Sequence, residues 1–301
     1  MEDELWDALY QLLLRESNRR SRRKGVWFSD IVILAVFFWA VLHDRPISWA
    51  CRPRNWPPEM RWRLLPSRAT MSRRMRTFSV LNLLEAMLSA LGEAACPTLV
   101  RSVDAKPLVV GGFSKDADAK WGYAVHAKAK GYKLFSIWSD RSPVPEQWCV
   151  GPMNRSEPIV AQVMIGRLDG GGYVLGDSSY DTNALHQLCE GQGLQLLAPR
   201  KNPGTQLGHK VHAPSRLRSI ELLETRPAMR WCGSDCGQTF GPSVFAGRTG
   251  IERHFGQMGN FGGGLSPLPN WVRRPHRVVP WIGAKILLNG LRICRNKGLA
   301  A

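Results

Sequence analysis

The chain has 301 residues, 44% of them hydrophobic, with 12 Trp and 10 Phe. That is enough apolar material for a folded core, and it excludes a chain disordered throughout. A formal net charge of +17 favours phosphate-rich partners, because each neutralised phosphate releases condensed counterions.

The first residues, Met1-Glu2-Asp3-Glu4, are acidic and do not begin a secretory signal. Leu5, Leu9, Leu12 and Leu13 recur at helical spacing. A basic run follows, from Arg15 and Arg19 through Arg20, Arg22, Arg23 and Lys24. The most apolar stretch, 31–42, is too short for a bilayer, which needs about 20 apolar residues. It reads as a buried helix capped by Ser29 or Asp30. Pro- and Arg-rich text then carries Arg52, Arg54, Arg61 and Arg63, with Trp56 and Trp62 placed to pack beneath them. Ser67 opens a helix whose basic face holds Arg68, Arg73, Arg74 and Arg76, suited to docking on a duplex. Another helix covers 80–91. Residues 1–95 thus read as a helical, basic region.

From about residue 97 the period changes. A strand over 98–104 ends in Asp104, and two alternating runs, 122–128 and 132–138, form a hairpin around Gly131. A loop with Pro143, Pro145 and Pro152 leads to a helix over 157–168. Three glycines precede a short buried strand, 173–177, that ends in Asp177. Asp181 is placed to cap a helix over 182–190, and 194–198 is a further strand. The order is β-β-β-α-β-α-β. Residues 199–243, rich in Gly, Pro, Arg and His with one helical patch at 217–223, read as an insertion. Helix returns from Phe245 through Met258, and a last helix covers 281–295. Seven scattered Cys fit reduced thiols in a cytoplasm, not a disulfide framework.

Three acids stand out. Asp104 and Asp177 end apolar strands, and Glu252 lies on a helix. Exchange of phosphodiesters needs cations beside the attacking and leaving oxygens, and two divalent metals about 3.5–4 Å apart supply them. Mg²⁺ takes oxygen ligands, so a few carboxylates suffice. Neighbouring strands would bring Asp104 and Asp177 to one sheet edge, with Glu252 packed across it. Arg248 lies four residues before Glu252, on the same helical face. Asp116 and Asp118 are loop acids held in reserve for the first position.

Several segments resemble, in order, those of bacterial insertion-sequence transposases of the DDE type. GYKLF at 131–135 resembles the family's second-hairpin motif, and PMNRSE at 152–157 resembles the segment opening the first catalytic-domain helix. GDSSYD at 176–181 resembles the surroundings of the second acid. Phe245-x-x-Arg248-x-x-x-Glu252, continued by Arg253-x-Phe255, resembles the Tyr-x-x-Arg-x-x-x-Glu motif. The likeness covers roughly 60–295. It implies an α/β, ribonuclease H-like mixed sheet flanked by helices over 96–301, with the insertion before the last catalytic helix. It also implies that the helices of 1–95 read terminal inverted repeats. Asp104, Asp177 and Glu252 would ligate Mg²⁺ (Mn²⁺ able to substitute), while Arg248 and Arg253 contact DNA. The implied activity is strand cleavage at element ends and transfer into target DNA, by a dimer or larger assembly on double-stranded DNA. No membrane enters the scheme. Alternatives are a DNA-binding regulator or decayed copy, and a nuclease of the same fold that does not join strands. The chain departs from the family's pattern at Phe245 (usually Tyr), at Phe135 (often His) and at Gly259, where a Lys is common.

No Walker-type loop occurs, so no nucleotide cofactor is expected. Ser178 and Ser179 lack the G-x-S-x-G frame of a hydrolase. His209, His212, Cys232 and Cys236 offer a possible zinc set within the insertion; idle side chains are the plainer reading.

Overall fold

A computed structural model of the chain describes all residues except 1, 20–24, 61–63, 94–97, 125, 140, 209–210, 225–238, 260–263 and 299–301. In chain order its helices and strands are α1 (Glu2–Asn18), α2 (Asp30–Leu42), α3 (Ile47–Ala50), α4 (Arg68–Arg74), α5 (Phe78–Glu93), β1 (Val100–Val109), β2 (Lys120–Tyr123), β3 (Lys128–Trp138), β4 (Gln147–Pro152), α6 (Glu157–Ile165), β5 (Gly172–Leu175), α7 (Asn183–Gly191), β6 (Leu194–Leu197), α8 (Pro214–Glu224), α9 (Phe240–Ala246), α10 (Thr249–Gly259) and α11 (Pro275–Asn296). The contacts form two compact units. One comprises Met1–Ala95, Val110–Asp118 and Gln257–Ala301, the other Cys96–Val109 and Ala119–Gly256.

The first unit is helical. Its centre is α2, in which every residue from Ile33 to Leu42 is buried. Ser29, not Asp30, caps it, through the N–H of Val32 at 3.4 Å. Asp30 instead receives the guanidinium of Arg74, which also donates to the Phe28 carbonyl at 2.7 Å. Arg74 therefore turns inward to hold the start of α2, while Arg68, Arg73 and Arg76 stay exposed. Trp56 is buried too, stacked on Trp39 with ring centres 4.8 Å apart. Trp62, Arg61 and Arg63 lie outside the described residues. No described helix is long and apolar enough to cross a membrane.

The second unit is built on one mixed sheet in the order β2-β3-β1-β5-β6, with β4 also pairing β3. β1, β2 and β4 run antiparallel to β3, whereas β1, β5 and β6 are mutually parallel. Helices α6 and α7 cover the face carrying Val103, Phe135, Ile137, Val174 and Leu196. This is the ribonuclease H-like arrangement. β4 was hidden by the prolines around it. α8, inside the stretch read as an insertion, packs on β6.

Two further details differ from the sequence reading. β1 does not stop at Asp104 but runs on to Val109, paired with β3 throughout. Pro107 is tolerated there because β5 pairs only with Val100–Ser102, so no described strand lies beside Pro107 on that edge of β1. The β2–β3 turn lies at 124–127, closed by Ala124 N–H to Ala127 O at 2.9 Å, so Gly131 is inside β3. A Cβ at Gly131 would fall 2.2 Å from the Leu108 carbonyl oxygen, and one at Gly122 would fall 2.6 Å from that of Met153. These glycines let the β2–β3 ribbon press onto neighbouring backbone. Gly131→Ala should therefore lower stability by about 1–3 kcal/mol, read as a fall in the urea midpoint. An unchanged midpoint would show that the ribbon is not held so tightly.

Candidate active site

The parallel register sets Ser102 beside Leu175. Two residues beyond that pair on each strand's path stand Asp104 and Asp177, so the first two acids emerge where β5 has ended, near enough for the charge of Asp177 to act on Asp104. Asp104 is pushed from 3.8 up to about 6, chiefly by burial, with the charges of Asp177 and Glu157 adding to it. The N–H of Ala105, 2.8 Å from Asp104 Oδ1, and the Arg248 guanidinium act in the opposite sense without prevailing. Asp177 Oδ1 accepts from the Ser179 N–H at 2.7 Å, which shapes the turn after β5.

Arg248 links the third acid to the first. Its Nη2 lies 3.4 Å from Asp104 Oδ2 and its Nη1 lies 2.9 Å from Glu252 Oε1. Glu252 stays largely in solvent, with 58% of its side chain exposed, so it retains freedom to turn toward a ligand. What fixes α10 is its other face, where Ile251, His254, Phe255 and Met258 are buried. His254 lies flat on Trp138 of β3, with ring centres 4.2 Å apart and planes within 5°. Arg253, next to Glu252, is exposed.

Around these acids lies a second set that the sequence reading did not single out. Lys133 Nζ is 2.5 Å from Glu157 Oε1, and the buried Tyr180 hydroxyl donates weakly to Glu157 Oε2 at 3.5 Å. Burial and the negative charge of Glu157, Asp104 and Asp177 raise the Tyr180 phenol well above its usual range. GYKLF supplies Lys133, PMNRSE supplies Glu157 and GDSSYD supplies Tyr180. The available signal was one polar residue in each segment, and only the fold shows that the three converge.

Asp181 is not a helix cap; Thr182 caps α7, accepting from the Leu185 N–H at 3.4 Å. Asp181 is forked by Arg216 of α8 through two contacts of 2.6 Å, with buried His186 3.4 Å away. Burial opposes the charge, yet these partners hold the carboxyl well below its usual range. Asp116 and Asp118 belong to the first unit, where Asp116 accepts from the Arg274 N–H at 2.8 Å and Asp118 lies 3.7 Å from its guanidinium. Both reserve acids are thus spent on one loop. Arg273 folds back on the carbonyls of Leu268, Pro269 and Val272. His212 bonds Leu207 O and Arg216, while His209, Cys232 and Cys236 lie outside the described residues.

Among the described residues no three of His, Cys, Asp or Glu are close enough together to hold a metal. The donor chemistry nonetheless suits a hard cation. Asp104 and Asp177 are adjacent oxygen donors whose like charges work against each other, and Mg²⁺ prefers such ligands. The buried Ser136 Oγ, in register with Asp104, and the Arg248 Nε make no hydrogen bond, so the polar surroundings of the acids are incompletely satisfied.

The raised carboxyl has a consequence for stability. Between about pH 4 and 6 the folded chain binds more protons at Asp104 than the unfolded one, so stability falls as pH rises through that window. Asp104→Asn should largely remove that fall and, in EDTA at pH 7, should be about 3 kcal/mol more stable than the parent. Urea midpoints across the pH range test this, and a parent curve already flat there would refute it.

Residues 96–274 match the family described as "Transposase DDE domain". No match was found among curated proteins. A cryo-EM structure of the piggyBac transposase synaptic complex with hairpin DNA is similar at 12% identity and a TM-score of 0.48, covering 98% of this chain and 74% of that one. The family match takes in more than half of the chain, including Asp104, Asp177, Arg248 and Glu252: the chain belongs to the DDE transposase family.

Proposed function

We propose that this transposase cuts DNA at the ends of its element and joins the freed ends to target DNA, using Asp104, Asp177 and Glu252. The observation that supports the reading is the β1–β5 register, which ends with Ser102 opposite Leu175, two residues before Asp104 and Asp177 respectively. Asp104, Asp177 and Glu252 would hold Mg²⁺, with Mn²⁺ able to substitute. Bound there, the metal would offset charge on the attacking and leaving oxygens of the phosphodiester.

The chain's own residues do the rest. Arg248 presents a forked guanidinium between Asp104 and Glu252, and such a fork exchanges carboxylate for phosphate oxygens readily. A DNA phosphate that takes over Arg248 also releases Glu252 to turn toward Asp104. Lys133 keeps Glu157 paired, so that it does not add a free negative charge beside the scissile phosphate. Arg253 on α10, and Arg68, Arg73 and Arg76 at α4, are exposed cations for the DNA backbone. The strand released by water ends in a 3′-hydroxyl. That hydroxyl attacks a target phosphodiester, one bond replacing another, so no nucleotide is consumed. Two element ends imply a dimer or larger assembly on DNA, and a cytoplasmic protein at the nucleoid fits that substrate.

Asp104→Ala, Asp177→Ala and Glu252→Ala should each slow cleavage of DNA bearing the element's inverted repeats by roughly a thousandfold in Mg²⁺. Affinity for the same DNA should change little. Wild-type cleavage rates in these variants would sink the assignment. Pre-cut ends incubated with target DNA separate a transposase from a nuclease, since only the former yields joined products.

A further inference from the structure

The β2–β3 ribbon carries a feature the proposed chemistry does not use. Trp121 and Tyr123 are two apart on β2, hence on one face, and they are 57% and 73% exposed. Across the ribbon, Lys130 pairs with Trp121 and Lys128 with Tyr123, which puts both lysines on that face as well. Lys128 is exposed, its Nζ 5.6 Å from the centre of the Tyr123 ring. On the opposite face, Gly122 and Gly131 pin the ribbon to the backbone at Met153 and Leu108. The rings are thus presented by a fixed support.

We infer that this face is a stacking platform for an unpaired DNA strand. Exposed rings offer flat surfaces to bases, and each base–ring stack adds sequence-independent affinity. In duplex DNA the base faces are already stacked on one another, so an unpaired segment is the better partner. The lysines select a polyanion over an apolar protein surface, in keeping with the net charge of +17. The platform is also within reach of the candidate active site. Ser136 pairs with Asp104, and Lys130 pairs with Trp121 six positions away along β3, about 20 Å in a strand. The inference rests on the proposed function only for the source of the unpaired strand, which cleavage and joining would supply.

Fluorescence anisotropy with a labelled oligothymidylate, in EDTA at fixed salt, tests the platform without any cleavage step. Trp121→Ala/Tyr123→Ala should bind it roughly tenfold to a hundredfold more weakly, with affinity for a duplex of the same length unchanged. Trp121→Phe/Tyr123→Phe should bind nearly as the parent does. Lys128→Glu, a surface change, should also weaken oligothymidylate binding and keeps the test open if the alanine variant does not fold. Parental oligothymidylate binding in the alanine variant, or equal losses on duplex and single strand, would overturn the inference. Loss of self-association with oligothymidylate binding intact would overturn it in favour of a second copy of the chain. Failure of Asp104→Ala to affect cleavage would leave these binding results standing.

Discussion

β1 and β5 lie parallel with Ser102 opposite Leu175, and a slip of one residue would turn one of the two acids to the other face of the sheet. The register is guarded from both sides. Val103 and Val174 are fully buried beneath α6 and α7, and β1 is paired with β3 from Ser102 to Val109. Asp104 and Asp177 are therefore held together by apolar packing that neither acid contributes to. Burial, with a smaller contribution from the charge of Asp177, keeps Asp104 hard to ionise despite Arg248.

Half-buried Asp104 and buried Asp181 show two ways of treating a carboxylate. Asp181 has a guanidinium fork at 2.6 Å on both oxygens, and pairing outweighs burial. Asp104 has one guanidinium contact at 3.4 Å and one backbone N–H, and burial outweighs pairing. The first arrangement ties the loop after β5 to α8 and is structural, since removing one partner of a buried pair strands the other. The second leaves a carboxylate under-satisfied and open to a new cation. A carboxylate with full local pairing makes a poor ligand, so the difference separates these acids better than sequence position does.

Much of the scaffold was legible because it depends on local chemistry. The buried helix α2, the Ser67 cap of α4, the glycines before β5 and the acid after it follow from composition and short-range order. Other features depend on partners far away in sequence. The strand read as ending at Asp104 runs on through Pro107, whose missing N–H costs little where no described strand pairs. Asp181 has the right place for a cap, but its partner Arg216 lies 35 residues on. Arg74 reads like its exposed neighbours until Asp30, 44 residues earlier, is found beneath it. Glu157, Lys133 and Tyr180 lie in three separate motifs, each unremarkable alone, and meet only through tertiary structure.

The unpaired edge of β1 beyond Ser102 has a further meaning. An open strand edge invites another chain to add itself by backbone pairing, and here the edge borders Asp104, where the proposed substrate would enter. Two local devices make it a poor template. The N–H of Ala105 is already taken by the Asp104 carboxylate, and two residues on, with the same orientation, Pro107 has no N–H to offer. On the proposed reading, this edge suits a nucleic acid strand, which asks for charge, better than a peptide strand, which asks for donors.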